Sequence, residues 1–234
     1  MREISMQTLQ EYMSQPIWDS RSMIFRGVSD TEHELITGIG RLKFAKESDR
    51  PTYEQEVLKE FKRRSLPHLK SIPGSDLEWL QLAQHYGIPT RLLDWTHNPL
   101  VALYFAAEKS DESDFAIYKS LHTSWLAEDF DPFQIESELG IVPRHSDIRY
   151  INQAGVFTIH PTYRLEKTDG LIKYIFPASK KQELRWLLRR LGFSPASMFP
   201  SLDGIARDVV AHCEPMLNQN YLRSTNYDVT RGIA

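Results

Sequence analysis

An α+β fold, one domain around a bent or split mixed sheet flanked by helices, follows from three observations on the 234-residue sequence. Helix-like and strand-like stretches interleave without the strict alternation that a doubly wound parallel sheet requires. Most are bounded by recognisable caps or turn residues. A hydrophobic content of 41% supplies one sizeable core.

The elements are read in order. The N-terminal stretch is amphipathic through Ile4, Leu9, Tyr12 and Met13. "SMIFRGVSD" (22–30) is a β-rich run closed by polar turn residues, hence a strand. In "PTYEQEVLKEFKRRSL" (51–66), Thr52 precedes Gln55 by a capping-box spacing, and Tyr53, Val57 and Phe61 recur at four-residue steps, which predicts a helix buried on that face. "SDLEWLQLAQHYGIP" (75–89) starts at a Ser75 or Asp76 cap and stops at Gly87 and Pro89, the expected helix ending. "TRLLD" (90–94) follows as a strand. "NPLVALYFAAE" (98–108) opens a helix with Asn98 capping and Pro99 in the first turn, where its missing N–H costs nothing. Downstream, "DFAIYKSL" (114–121), "AGVFTIHP" (154–161) and "LIKYIFP" (171–177) are predicted strands, and "SKKQELRWLLRRLGF" (179–193) a helix buried through Leu184, Leu187, Leu188 and Leu191. Residues 1–217 are assigned to the domain and the polar stretch 218–234 to a C-terminal tail.

Composition narrows the function classes. With 28 basic and 31 acidic residues the formal charge is −3, so no global field points to nucleic acid or an anionic membrane. Locally, residues 108–138 hold nine acids and two bases (−7) and residues 160–190 eight bases and three acids (+5). Both patterns are usual for solvated faces. Lys180, Lys181, Arg185, Arg189 and Arg190 share one predicted helix, but no aromatic pattern of RNA binding interleaves them, so nucleic acid ranks low as a partner. No window approaches the ~20 apolar residues of a membrane span, and "MREISMQTLQ" lacks the apolar run of a signal peptide. With the single Cys213, a cytoplasmic location is expected. No phosphate loop, dinucleotide fingerprint, nucleophile elbow or zinc spacing occurs. The eight His, among them His85, His97, His145 and His160, show no metal-ligand spacing, so no metal is expected.

Two stretches remain, "IFRG" and "PTRLLDWTHNP". Arg26 sits in an apolar strand and must be paired, because an unpaired buried charge is very costly. Asp94, at the end of another strand, is its natural partner. One reading is a purely structural bridge between two strands. The other leaves Arg26 with spare donors for a phosphate or carboxylate, and Gly27 as a point of close backbone approach or positive φ. The junction from strand to helix at Asp94, Trp95 and Thr96 would lie at the mouth of the fold beside a helix N-terminus that favours anions. Trp95 then gives a flat wall for a ring, or is simply a core residue, and Thr96 a hydroxyl for ribose or phosphate. His85, Tyr86 and Arg91 are expected to frame the same cleft, since Gly87 and Pro89 fold the helix end back against the following strand.

"FRG" at 25–27 and "QHYGIPTRLLDWTHNPLVALYFAA" at 84–107 resemble the bacterial and phage FRG domain, and the resemblance extends to "NQAGVFTIHP" (152–161) and "SPASMFPSLDGIARDV" (194–209). It implies an origin in phages, prophages or defence loci. The layout is also similar to that of ADP-ribosyltransferases: an Arg on an early strand, a polar strand end leading into a helix with an A-x-x-F-A pattern, and a later strand that begins with an acid. Arg26 matches the first element and Asp94-Trp95-Thr96 with "VALYFA" the second. At the third, Gln153 and Gly155 stand where acids are expected. This likeness implies an ADP-ribosyltransferase-like fold, NAD as ligand, a catalytic role for Asp94 and Gln153, and a toxin-like or antiviral effector. A neutral Gln lacks the Coulomb stabilisation of the departing-nicotinamide transition state, and losing one such group commonly costs on the order of 10²–10³ in rate. The alternative is a non-catalytic module that senses a nucleotide or engages a phage or host protein.

Overall fold

The structure, a computed structural model, describes residues 1–16, 22–109, 112–121, 124–126, 130–143, 148–166 and 170–213. The predicted tail at 218–234 and His145 lie outside the described residues. Eight strands form one mixed sheet: β1 (Arg2–Ser5), β2 (Met23–Val28), β3 (Leu92–Thr96), β4 (Phe115–Leu121), β5 (Trp125–Leu126), β6 (Leu139–Ile141), β7 (Gly155–Ile159) and β8 (Ile172–Phe176). Their spatial order is β1-β8-β4-β2-β3-β7-β6-β5. The end pairs β1–β8 and β5–β6 run parallel, and all the pairs between them antiparallel.

The expected split appears in the middle of this sheet. β2 pairs with β4 from Met23 to Val28, but meets β3 at one register pair, Phe25–Thr96. Two four-stranded halves therefore join through a single register pair of the ladder, and the backbone groups beyond it need other partners. The 24–27 strand and β3 do share one sheet, as expected.

Eight helices accompany the strands among the described residues: α1 (Leu9–Met13), α2 (Arg50–Ser65), α3 (Asp76–His85), α4 (Pro99–Ala107), α5 (Ile148–Asn152), α6 (Lys181–Arg190), α7 (Pro195–Met198) and α8 (Leu202–Cys213). Strand alternation sorts the core. Phe25, Phe115, Ile117, Tyr174 and Phe176 pack against α4 and against Leu184 and Leu188 of α6. Leu92, Phe157 and Ile159 of the other half pack against Leu58 of α2 and Leu77 and Leu80 of α3. The opposite face, Ile24, Val28, Leu93, Trp95, Ala116, Tyr118 and Val156, spans both halves under Leu35 and Leu171. Burying each such large apolar side chain contributes about 1.5–3 kcal/mol.

Several local expectations hold. The Ser75 side chain caps α3 by accepting from the Glu78 N–H, and Gly87 follows the helix end at φ +82°. Asn98 caps α4 by accepting from the Leu100 N–H, with Pro99 in its first turn. Others are corrected. The Thr52 capping box does not form: α2 begins at Arg50 after Asp49, which makes no side-chain cap bond, and Pro51 occupies the first turn. Its buried face is Arg50, Glu54 and Leu58, while Tyr53 is exposed. An ion pair between Glu54 and Arg91 turns the helix by one position relative to the apolar periodicity. β3 runs 92–96 rather than 90–94, because the Arg91 N–H is bound by Glu54 Oε1 at 2.9 Å instead of entering the ladder. Leu191, just past the end of α6, is exposed, and Lys181 at its start is buried with its Nζ donating to Ser29 O at 2.9 Å. The strands β1, β5 and β6 and the helices α5, α7 and α8 were not expected as elements. No helix among the described residues is long and apolar enough to cross a membrane.

Candidate functional site

At the split between β2 and β3, the Arg26 side chain takes the place of the missing ladder. Its Nη1 donates to the backbone oxygen of Asp94 at 2.5 Å and lies 3.5 Å from Asp94 Oδ2. Side-chain exposure is 16% for Arg26 and 56% for Asp94, so a mostly enclosed guanidinium holds a carboxylate that faces solvent. Asp94 Oδ2 also accepts from Gln84 Nε2 at 2.9 Å, and Gln84 Oε1 accepts from Thr90 Oγ1 at 2.7 Å. This chain, Arg26–Asp94–Gln84–Thr90, spans both halves of the sheet and the last turn of α3.

The chain is unsaturated at both ends. Arg26 Nε and Nη2 make no hydrogen bond among the described residues. They are also not sealed, because the one buried side-chain polar atom without a partner there is the Tyr104 hydroxyl. Asp94 Oδ1 is likewise open. Burial pulls the Arg26 pKa below its ordinary value, Asp94 opposes that, and the nearby charge of Arg41 adds to it. Arg41 lies on a turn at Ile39–Arg41. Its spacing from the FRG stretch carries no motif, so nothing in the letters marked it.

Most of the other expected site residues are spent on protein groups. Gly27 does mark a close approach, but to protein: a Cβ there would lie 1.9 Å from Ala102 O of α4. Trp95 is buried, its Nε1 donating to Thr158 Oγ1 at 2.8 Å, so it is a core residue and not a ring wall. Thr96 donates to Gln153 O at 2.6 Å and accepts from the Asn98 N–H at 2.9 Å, which leaves it as a turn-forming hydroxyl. The Gln153 amide donates to Met198 O at 2.9 Å and fastens α7; Gln153 thus touches Thr96 through its backbone and does not join Arg26. Arg91 is sequestered: Nε and Nη2 bind Glu54 Oε2 at 2.9 and 2.7 Å, Nη1 binds Pro132 O, and Nη2 reaches the Tyr163 hydroxyl. His85 stacks edge-on against Tyr86 and Tyr150, and Tyr86 is exposed.

Two further groupings of polar side chains are committed to protein partners. Thr158 Oγ1 lies 2.7 Å from His160 Nε2, and His160 Nδ1 lies 3.5 Å from Glu138, an order that resembles nucleophile, base and acid. Thr158 is completely buried and already accepts a hydrogen bond from Trp95 Nε1, so no substrate reaches it. The basic residues of α6 do not form a free stripe either, since Arg189 pairs with Asp208, Lys180 with Glu183, and Arg185 donates to Glu108 O. No group of three His, Cys, Asp or Glu placed to hold a metal occurs among the described residues.

Residues of the site fit one part of a dinucleotide. Free guanidinium donors and an open carboxylate oxygen suit phosphate and ribose hydroxyls. A nicotinamide pocket built from Trp95, Thr96 and Gln153 does not fit, as all three are committed to protein groups. The chain matches no curated protein and no solved structure. Residues 21–115 match the FRG domain, a segment that holds Arg26, Arg41, Gln84, Thr90 and Asp94 together. The whole Arg26–Asp94 network lies inside the segment that matches the FRG domain.

Proposed function

We propose that this FRG domain is a nucleotide-binding module with an ADP-ribosyltransferase-like layout. Its ligand is a diphosphate nucleotide of the NAD or ADP-ribose type, held at Arg26 and Asp94, and its role is that of an effector or sensor acting on a phage or host protein. The observation that carries the reading is the incomplete saturation of Arg26, which spends Nη1 on Asp94 and leaves Nε and Nη2 without a protein partner among the described residues. A purely structural bridge has no use for them. Arg26 binds phosphate oxygens, and the open Asp94 Oδ1 accepts from a ribose hydroxyl.

Binding without efficient turnover is favoured over transfer, because the Gln153 side chain is engaged with Met198 O and supplies no negative charge. A second reading, slow ADP-ribosyl transfer, rests on Asp94, the one carboxylate in the network and 56% exposed. Titrating NAD and ADP-ribose into the purified protein while measuring free nicotinamide separates the readings. Saturable binding with no nicotinamide release supports the module, release that Asp94→Asn abolishes supports the transferase, and neither signal leaves protein interaction as the function.

A further inference from the structure

A cavity of about 620 Å³ opens between α2 and the 130–134 loop, within the ~300–1,000 Å³ of small-ligand pockets. One wall is the face of α2 that runs from Gln55 to Lys62, and the other is the loop from Phe130 to Gln134. Both walls share one anchor: Pro132 O accepts from Arg91 Nη1 at 2.9 Å, and Glu54 of α2 binds the same guanidinium. The loop is also closed on itself, since Asp131 Oδ1 accepts the Phe133 N–H at 2.9 Å and Asp131 O the Gln134 N–H at 3.2 Å. The slot is therefore formed before any ligand arrives. Leu58, Phe130 and Phe133 supply its apolar lining, and Lys62 and Asp76 neutralise each other in a direct ion pair. Lys59 and Asp131 are left, one on each wall, and no ion pair joins them. Among the described residues Lys59 meets the exposed Glu56 at 3.4 Å, a pair worth little, and Asp131 spends Oδ1 on its own turn and keeps Oδ2.

We propose that this slot binds a short peptide with free termini and large apolar side chains: Lys59 takes the carboxylate, Asp131 Oδ2 the ammonium, and Leu58, Phe130 and Phe133 the side chains between them. Opposite charges on the two walls, with an apolar lining between, match a zwitterion. They give neither a polyanion nor a polycation an advantage, because Lys59, Lys62, Asp76 and Asp131 sum to no net charge. The volume exceeds what one amino acid fills, which points to a dipeptide or tripeptide. The Gln55 and Gln134 amides line the slot without a side-chain partner among the described residues, and each offers a donor and an acceptor to a peptide group. The site uses no group of the Arg26–Asp94 network, so it stands or falls apart from the nucleotide reading.

NMR titration of the protein with the dipeptide Leu-Phe, with its N-acetylated and C-amidated forms and with free phenylalanine tests it, alongside a thermal melt of each variant. Leu-Phe is expected to bind saturably, and blocking either end to weaken it by about five-fold or more, as loss of a charge-assisted contact does. Lys59→Ala should abolish the preference for a free carboxyl end. Asp131→Asn, whose amide oxygen still accepts the Phe133 N–H, should abolish the preference for a free amino end. Both should melt like the wild type, and Arg26→Ala should bind Leu-Phe unchanged. A merely structural role for Lys59 or Asp131 would not move these end preferences one at a time. Absence of Leu-Phe binding, equal binding of the blocked forms, or end preferences that survive both variants overturns the proposal. Free phenylalanine binding as tightly as the dipeptide overturns it too, as does binding lost with Arg26→Ala.

Discussion

Two arginine–carboxylate pairs brace the same strand of this domain, and they are built differently. Arg91 and Glu54 expose 4% and 2% of their side chains, and the guanidinium is consumed by Glu54, Pro132 O and the Tyr163 hydroxyl, with the Phe133 and Tyr163 rings on its faces. Arg26 and Asp94 expose 16% and 56%, and part of that guanidinium is unspent. A closed pair fixes α2 to the start of β3 and can do nothing else. The open pair stitches the split sheet and still presents donors, which is the difference between a strut and a site.

The largest effect is expected at the closed pair. Glu54→Ala leaves the Arg91 charge buried and unpaired, so it should destabilise by ~3–5 kcal/mol, a fall of roughly 6–20 °C in melting temperature for a chain this long. A shift within a degree or two would mean that the pair is not closed. Next comes Gly27→Ala, whose methyl meets the backbone of α4; a loss of ~1–3 kcal/mol is expected in chemical denaturation, with α4 pushed off β2. At the open pair, Asp94→Asn should cost under ~1 kcal/mol, because solvent screens a half-exposed carboxylate and the amide still accepts from Gln84. A loss comparable to that of Glu54→Ala would make the two pairs equivalent and end the distinction.

The smallest effect concerns an exposed carboxylate on α2, which calibrates both. Hydrogen bonds from Arg63 and then Arg64 lower the Glu60 pKa from 4.5 to about 2. A depressed carboxylate pKa contributes stability above the unfolded value, and that contribution is lost as pH falls through the folded one. The Glu60 contribution should therefore be complete above pH ~5 and fade between about 4.5 and 2. Side-chain carbon shifts followed by NMR against pH should show Glu60 titrating near the bottom of that window; a midpoint at 4.5 would show the two bonds absent in solution.

Much of this was legible in the letters, for reasons that differ by residue. Caps such as Ser75 and Asn98 act within three residues, so local sequence reveals them. Arg26 and Asp94 were foreseeable as a pair because a cation in an apolar strand demands an anion and few were placed to answer it. Gly27 was foreseeable as a close approach, but not that the neighbour is α4. The rotation of α2 was hidden, since Glu54 looks like a surface residue until Arg91 is placed beside it from 37 positions away. Thr96, Trp95 and Gln153 failed as a ring pocket because their partners, Gln153 O, Thr158 and Met198 O, are brought up by tertiary packing that no spacing announces.

If the proposed function holds, Arg26 works as a ligand-binding group beyond its structural bond to Asp94. The most direct test measures ADP-ribose affinity and melting temperature on the same preparations of wild type and Arg26→Ala. Expected are saturable binding by the wild type, at least ten-fold weaker binding by the variant, and a loss of only about 1 kcal/mol in stability for the one hydrogen bond removed. A variant that binds as the wild type does, or one that loses binding together with the ~3–5 kcal/mol of a broken buried pair, would contradict it and make Arg26–Asp94 a strut like Arg91–Glu54.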